Sequence, residues 1–310
     1  MTISKGLSRR QALLAGASAP AIAMLGAGRA AAKAEMKGAA QPLYSRFMLG
    51  DFEVTTLLAG TRPVPDPQTI FGMNVSAEEF AAASAEAFIP ANVAQFFFTP
   101  TVVNTGEELV LFDTGLNAEG ITAALAAAGY APDDVDVVVI THMHGDHVGG
   151  LNSDAGNTFA NARYVTGATE HNHWMGAGNE TFDKKVRPLS DQFAFLDDGG
   201  EVVSGITAIA AHGHTPGHMG YMIENFGKSL VLIADTANHP VWSLERPDWE
   251  VKFDADKAAA AATRRKMLGM IAADKLPFVG YHMPFPATGF VEAKGDGFRY
   301  IPSSYQLMLE

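Results

Sequence analysis

The stretch Thr141-His142-Met143-His144-Gly145-Asp146-His147-Val148-Gly149-Gly150 decides how this chain is read. It follows Val135-Asp136-Val137-Val138-Val139-Ile140, a β-branched run that reads as a strand buried on both faces. Four metal-ligand-type side chains, His142, His144, Asp146 and His147, therefore sit where an apolar strand opens into a loop, a usual place for a site in an α/β fold. His142 and His144 are two residues apart, so an extended backbone points both to one side. Gly145 is read as the residue that lets the chain turn, so that Asp146 and His147 approach from the turn. Imidazoles beside a carboxylate suit Zn²⁺ or a similar divalent ion.

Four adjacent ligands strain a single tetrahedral ion, and the rest of the chain offers more. Ala211 to Tyr221 (AHGHTPGHMGY) carries His212, His214 and His218; Leu232 to Thr236 (LIADT) ends an apolar run on Asp235; Val279 to Pro286 (VGYHMPFP) carries His282. All fall at strand ends or in Gly/Pro loops, which points to a site for two metal ions, with Asp235 the carboxylate free to bridge them. The chain has no cysteine, so thiolate zinc sites, iron–sulfur clusters, disulfides and cysteine nucleophiles are excluded.

These motifs, with Leu111-Phe112-Asp113-Thr114-Gly115, resemble the metallo-β-lactamase superfamily over Phe47 to Tyr300. The resemblance implies an α/β fold, an αββα four-layer sandwich of two packed mixed sheets with helices outside. It puts metal one on His142, His144 and His218, metal two on Asp146, His147 and His282, and Asp235 between them. Asp113 and His214 would support the ligands, and Asp146 and Asp235 would be the catalytic carboxylates. The group most resembled is the exported methyl-parathion-hydrolase-like one, through NTGEELVLFDTG, AAGYAPDDVDVVVITHMHGDHVGG and VEAKGDGFRYIP; Trp174 matches an aromatic pocket residue of that group. Phe97 is taken as a second pocket residue, from the run Phe96-Phe97-Phe98. The implied activity is hydrolysis of an ester, lactone or phosphotriester by a bridging hydroxide. The ions are two divalent cations, zinc first, with manganese, cobalt or iron accepted by the same ligands. An iron-dependent sulfur dioxygenase and a glyoxalase-II-like thioesterase are the alternatives on the same scaffold. The resemblance also implies a homodimer. Among the remaining histidines, His171 and His173 are read as solvent-side residues of a helix and His212 as a loop residue.

With 310 residues, 47% of them hydrophobic, the chain has enough apolar side chains for a large core. Residues 1–34 read as an export signal of twin-arginine type, with Ser8-Arg9-Arg10 ahead of an Ala/Gly-rich apolar run and a small-residue cleavage site. Residues 35–310 then form a single hydrolase domain, periplasmic or secreted. Net charge is −12. Without the leader's five basic residues (Lys5, Arg9, Arg10, Arg29, Lys33) it falls to about −17, which disfavours nucleic acid; the expected partner is a small-molecule substrate in an apolar pocket.

Further expectations are local. Phe47 to Gly60 reads as two strands about a Gly50-Asp51 turn, and Thr61 to Pro67 as a proline-rich loop. Ser76 starts a short capped helix. Gln95 to Gly115 reads as a hairpin. Asn117 to Gly129 reads as an Ala-rich helix, Val202 to Ala210 as a strand, and Asp254 to Ala273 as the longest helix.

Overall fold

The computed structural model describes residues 35–309; the export leader read over residues 1–34 lies outside them. Glu35–Ala40 is exposed and without regular structure. From Gln41 onward the chain forms one compact unit. Its first half holds strands β1 (Tyr44–Leu49), β2 (Phe52–Leu57), β3 (Gly60–Pro65), β4 (Val93–Phe98), β5 (Thr101–Asn104), β6 (Leu109–Phe112), β7 (Val137–Ile140), β8 (Asn152–Ser153), β9 (Gly156–Asn157), β10 (Arg163–Gly167) and β11 (Phe193–Leu196). Its second half holds β12 (Glu201–Val203), β13 (Ile206–Ala210), β14 (Met219–Asn225), β15 (Lys228–Leu232), β16 (Phe278–Val279), β17 (Thr288–Lys294) and β18 (Gly297–Pro302). The α-helices are α1 (Ala77–Glu86), α2 (Ala118–Ala128), α3 (Gly145–Val148), α4 (Ala168–Met175), α5 (Glu180–Lys185) and α6 (Lys257–Asp274).

Two seven-stranded sheets result, in the orders β1-β2-β5-β6-β7-β10-β11 and β12-β13-β14-β15-β16-β17-β18, with two small ribbons, β3-β4 and β8-β9. Both sheets are mixed: β6, β7, β10 and β11 run parallel in the first, and β15 and β16 in the second. The burial of β7 explains its composition. Val137 and Val139 enter the core between the sheets with Ile206, Tyr221 and Leu230, while Val138 and Ile140 enter a second core beneath α2 with Ile121 and Leu125. A strand packed on both faces has no polar position to offer, so the run is continuously apolar. On the far side, Leu268 and Ile271 of α6 join the inter-sheet core. The layering is helices, sheet, sheet, helix, the four-layer sandwich expected. A third core, built on Phe71, Phe80, Phe96, Phe98, Trp242 and Trp249, underlies the β3-β4 ribbon and α1.

Local signals set several element ends. Ser76 accepts the Glu79 N–H to start α1, Asn117 accepts the Gly120 N–H to start α2, and Gly129 closes α2 at φ 88°. Three expectations need correction. Thr61 to Pro65 lies in a strand, not a loop: Pro63 and Pro65 sit in a two-stranded ribbon, where a missing N–H can face outward without breaking a ladder. Val202 to Ala210 is two strands, because Ser204-Gly205 turns the chain at Gly205, φ 82°. The longest helix starts at Lys257 with Asp256 as its cap, leaving Asp254 outside the helix and buried.

Candidate metal centre

The C-terminal ends of β7 and β15, the loops after β13 and β16, and the start of α3 meet at one place. Here His142, His144 and His214 form one set of donors. His142, His147 and Asp235 form a second, and Asp146, His147 and His282 a third; within each set the ligand atoms lie within 4.8 Å of one another. His142 Nε2 and His214 Nε2 are 3.1 and 3.0 Å from His144 Nδ1. His282 Nε2 is 3.3 Å from Asp146 Oδ2 and 3.2 Å from Asp235 Oδ2; His214 Nε2 is 3.3 Å from that same Asp235 oxygen. Two donors held tetrahedrally at 2.0–2.1 Å from one ion are about 3.3 Å apart, so the spacings fit shared cations. Asp235 touches both donor groups.

The outer ring atoms show how the imidazoles are aimed. His147 Nδ1–H donates to Asp113 (2.8 Å), His214 Nδ1–H to Asp254 (2.9 Å), and His282 Nδ1–H to the Phe97 carbonyl (2.8 Å). Thr141 Oγ1 donates to Asp113, so it accepts from His142 Nδ1–H at 3.1 Å. With Nδ1–H held outward, each Nε2 lone pair points inward, the orientation a bound metal requires. His147 Nε2 and Asp235 Oδ1 are buried with no hydrogen-bond partner. Two orphaned, lone-pair-bearing atoms in a polar cluster are what a cation would satisfy, and the donor set of imidazoles and carboxylates fits two divalent ions.

Electrostatics agree. Burial, with His214 beside it, pushes His144 down to about 3. Burial likewise holds His142 well below the usual imidazole range. Burial opposes charge on Asp146, yet His147 and His282 outweigh it and take the carboxyl down to about 2. His282 is lifted to about 10 because Asp235 and Asp146 overcome its burial. The same negative field that holds a proton on His282 would hold a divalent cation.

Within GHTPGH, His218 is expected as a ligand and His214 as support, but the donor set with His142 and His144 contains His214 and not His218. Both His218 ring nitrogens are taken by backbone: Nε2 accepts the Asp235 N–H (3.0 Å) and Nδ1–H donates to the Ala211 carbonyl (3.0 Å). His214, four residues earlier, faces His144 and Asp235. The loop carrying both is packed without slack: a Cβ on Gly217 would lie 2.1 Å from the Glu170 backbone nitrogen. At Gly145 the chain turns by entering α3, which carries Asp146 and His147, and a Cβ there would meet Thr181 at 3.6 Å.

A cavity of about 440 Å³ opens above the cluster, lined by His144, Asp146, Asp235 and His282, by apolar Val64, Ile70, Phe96, Phe98, Leu116 and Phe253, and by Arg62, Gly145 and Asn238. Phe97, expected in the pocket wall, is replaced there by Phe96 and Phe98, because alternation along β4 sends residue 97 to the other face. Trp174 is not part of this lining; its ring meets His144 edge-on at 5.7 Å and its indole N–H donates to Glu170 at 2.6 Å. His171, expected at the solvent side, is buried against Phe182, Phe193 and Phe195. His173 and His212 are exposed. His239 caps the turn Pro240–Glu245 and stacks on Trp242.

Several supporting residues carried no sequence signal. Glu170, fully buried, accepts from Met143 N–H, Trp174, Thr215 and Gly217 N–H, and so clamps the two histidine loops together. Asp254, behind His214, is paired with buried Arg264 at 2.9 Å. Tyr281 donates to the Asp146 carbonyl at 2.5 Å. Asp113 holds φ 60°, an unusual value for a non-glycine residue, while its carboxylate takes three hydrogen bonds from Thr141 and His147.

Comparison with known proteins places these features. Residues 99–275 match the family model described as metallo-beta-lactamase superfamily. An N-acyl homoserine lactonase of Bacillus cereus is 26% identical over 150 residues, 48% of this chain and 57% of the relative, so the match spans little more than half of that protein's length. Among solved structures, AidC, a dizinc quorum-quenching lactonase in complex with a product, aligns with a TM-score of 0.79 at 25% identity, over 86% of this chain and all of that one. The hydrolase AbOPH of the beta lactamase superfamily aligns equally, with a TM-score of 0.79, 25% identity and the same coverage.

Proposed function

This chain belongs to the metallo-β-lactamase superfamily, and from that premise we propose that it hydrolyses carboxylic esters, lactones with an apolar acyl chain foremost, at a centre for two divalent cations. His142, His144 and His214 would hold one cation, Asp146, His147 and His282 the other, with Asp235 shared. The observation that carries this reading is Asp235 Oδ2, within 3.3 Å of both His214 and His282 at the floor of an apolar cavity. Cations held there would acidify water toward neutral pH and polarise a carbonyl.

The protein's own groups supply the rest. Phe96, Phe98, Ile70 and Leu116 offer an acyl chain a surface away from water. Asp146 has the more exposed carboxylate of the two, at 24% of its side chain, and faces the cavity. It accepts a proton from the attacking water and returns it to the departing alkoxide oxygen. Asp235, at 5%, stays ionised and holds the two halves in register. The lactonase names of the relatives support the substrate class. Phosphotriesters, the substrates of the methyl-parathion-hydrolase-like group, form the second class. The twin-arginine-like leader supports export to the periplasm or beyond.

The test is a panel assay on purified, metal-quantified protein with lactones of graded acyl length, aryl esters, β-lactams and phosphotriesters. Lactone turnover exceeding the others, and rising with chain length, is expected. No turnover of any ester by protein carrying two metal equivalents would overturn the reading. An oxygen-uptake assay on the same preparation separates out the iron-dependent dioxygenase.

A further inference from the structure

Setting the metal-ligand side chains aside, only two side chains in the cavity lining donate hydrogen bonds: Arg62 and Asn238. Arg62 is exposed on β3. Asn238 is buried, three residues beyond Asp235, and hydrogen bonds at both ends orient its carboxamide. Ser243 Oγ accepts the Asn238 backbone N–H at 3.2 Å and donates to Asn238 Oδ1 at 3.3 Å, which fixes the oxygen end. The nitrogen end then faces Asp235, with Nδ2 3.4 Å from the Oδ2 shared by the two halves of the centre. One N–H is used there. The other has no protein acceptor among the described residues. A second amide N–H without a protein acceptor, at the wall of the cavity, is free for a ligand atom.

We infer that Asn238 is a catalytic residue, whose free amide N–H donates to the substrate carbonyl oxygen as negative charge gathers on it. The inference rests on the ester-hydrolysing reading of this cavity. As the oxygen of water adds to the carbonyl carbon, the π electron pair moves to the carbonyl oxygen. The amide keeps its proton and strengthens its hydrogen bond as that charge grows. A donor fixed in advance by Ser243 needs no reorientation at that moment, the condition under which such bonds accelerate a reaction.

Asn238→Leu keeps the volume and removes both donors. It is compared with wild type by zinc content, by kcat and KM on a lactone, and by calorimetric binding of an alkyl phosphonate, a tetrahedral anion, against an alcohol of the same chain. The expected variant keeps two zinc ions, loses about 100-fold in kcat with KM within about threefold, and binds the phosphonate correspondingly more weakly while the alcohol is unaffected. Ser243→Ala, which leaves the amide but frees it to turn, is expected to lose about three- to tenfold in kcat at full zinc content. It carries the test if Asn238→Leu fails to fold. Unchanged kcat in both variants, or losses that only follow zinc loss, overturn the inference. A wild type that cleaves no ester overturns the underlying reading as well, whereas one that cleaves lactones with unaffected variants overturns this inference alone.

Discussion

The two halves of the centre are built from different kinds of sequence. The loop after β7 delivers His142, His144, Asp146 and His147 within six residues, from one strand end and one turn of helix. The second sheet delivers His214, Asp235 and His282 from three loops separated by tens of residues. The first group is positioned by local backbone. The second depends on the strand order β13-β14-β15-β16 and on buried partners that aim each ring: Asp254 for His214, the Phe97 carbonyl for His282. A compact motif announces a site, whereas the spread-out ligands decide its final geometry through contacts no motif contains.

The hardest blow to both halves is Asp235→Ala. It removes the side chain that both proposed cation sites share and leaves His214 and His282 without their common carboxylate. Bound zinc measured by elemental analysis is expected to fall below one equivalent per chain, with lactone turnover down by about 10³-fold or more. Next comes the pair within GHTPGH. His214→Ala is expected to lose one zinc equivalent and about 10²-fold in activity. His218→Ala is expected to keep both ions and lose about 1–3 kcal/mol in denaturant unfolding, because the buried Asp235 N–H loses its acceptor. Equal zinc loss in the two variants would erase the distinction drawn between them.

Asp254→Asn and Asp113→Asn each weaken the hydrogen bond behind one histidine, His214 and His147. Each should cost about 10- to 100-fold in zinc affinity, read by competition with a chromophoric chelator, and each should affect its own half first. Arg264→Met leaves the buried Asp254 carboxylate without its countercharge, though still bonded to the His214 Nδ1–H, and should cost about 3–5 kcal/mol of stability. At the small end, Phe98→Ala should weaken the preference for long acyl chains by about tenfold in kcat/KM, whereas Phe97→Ala should leave that preference within about twofold.

Much of this was legible because it is local. The β-branched run through Ile140, the Asn117 and Gly129 helix ends and the Gly50-Asp51 turn each encode their structure in adjacent residues. The errors share a physical cause: the deciding partner is distant in sequence. Pro63 and Pro65 look like loop residues until β4 pairs with their strand. Phe96, Phe97 and Phe98 are indistinguishable until the face of β4 is known. His214 and His218 have the same chemistry in the same motif, and only the Asp235 N–H and the Asp254 carboxylate tell them apart. Glu170 and Arg264 belong to no motif, yet each is buried, satisfying backbone or carboxylate groups from other loops.

The most direct measurement is a calorimetric titration of metal-free protein with Zn²⁺, counting equivalents in wild type and in His214→Ala. Two tight equivalents are expected in the first and one in the second. A wild type that saturates at a single equivalent, or a His214→Ala protein that still takes up two, would contradict a paired centre built on His214.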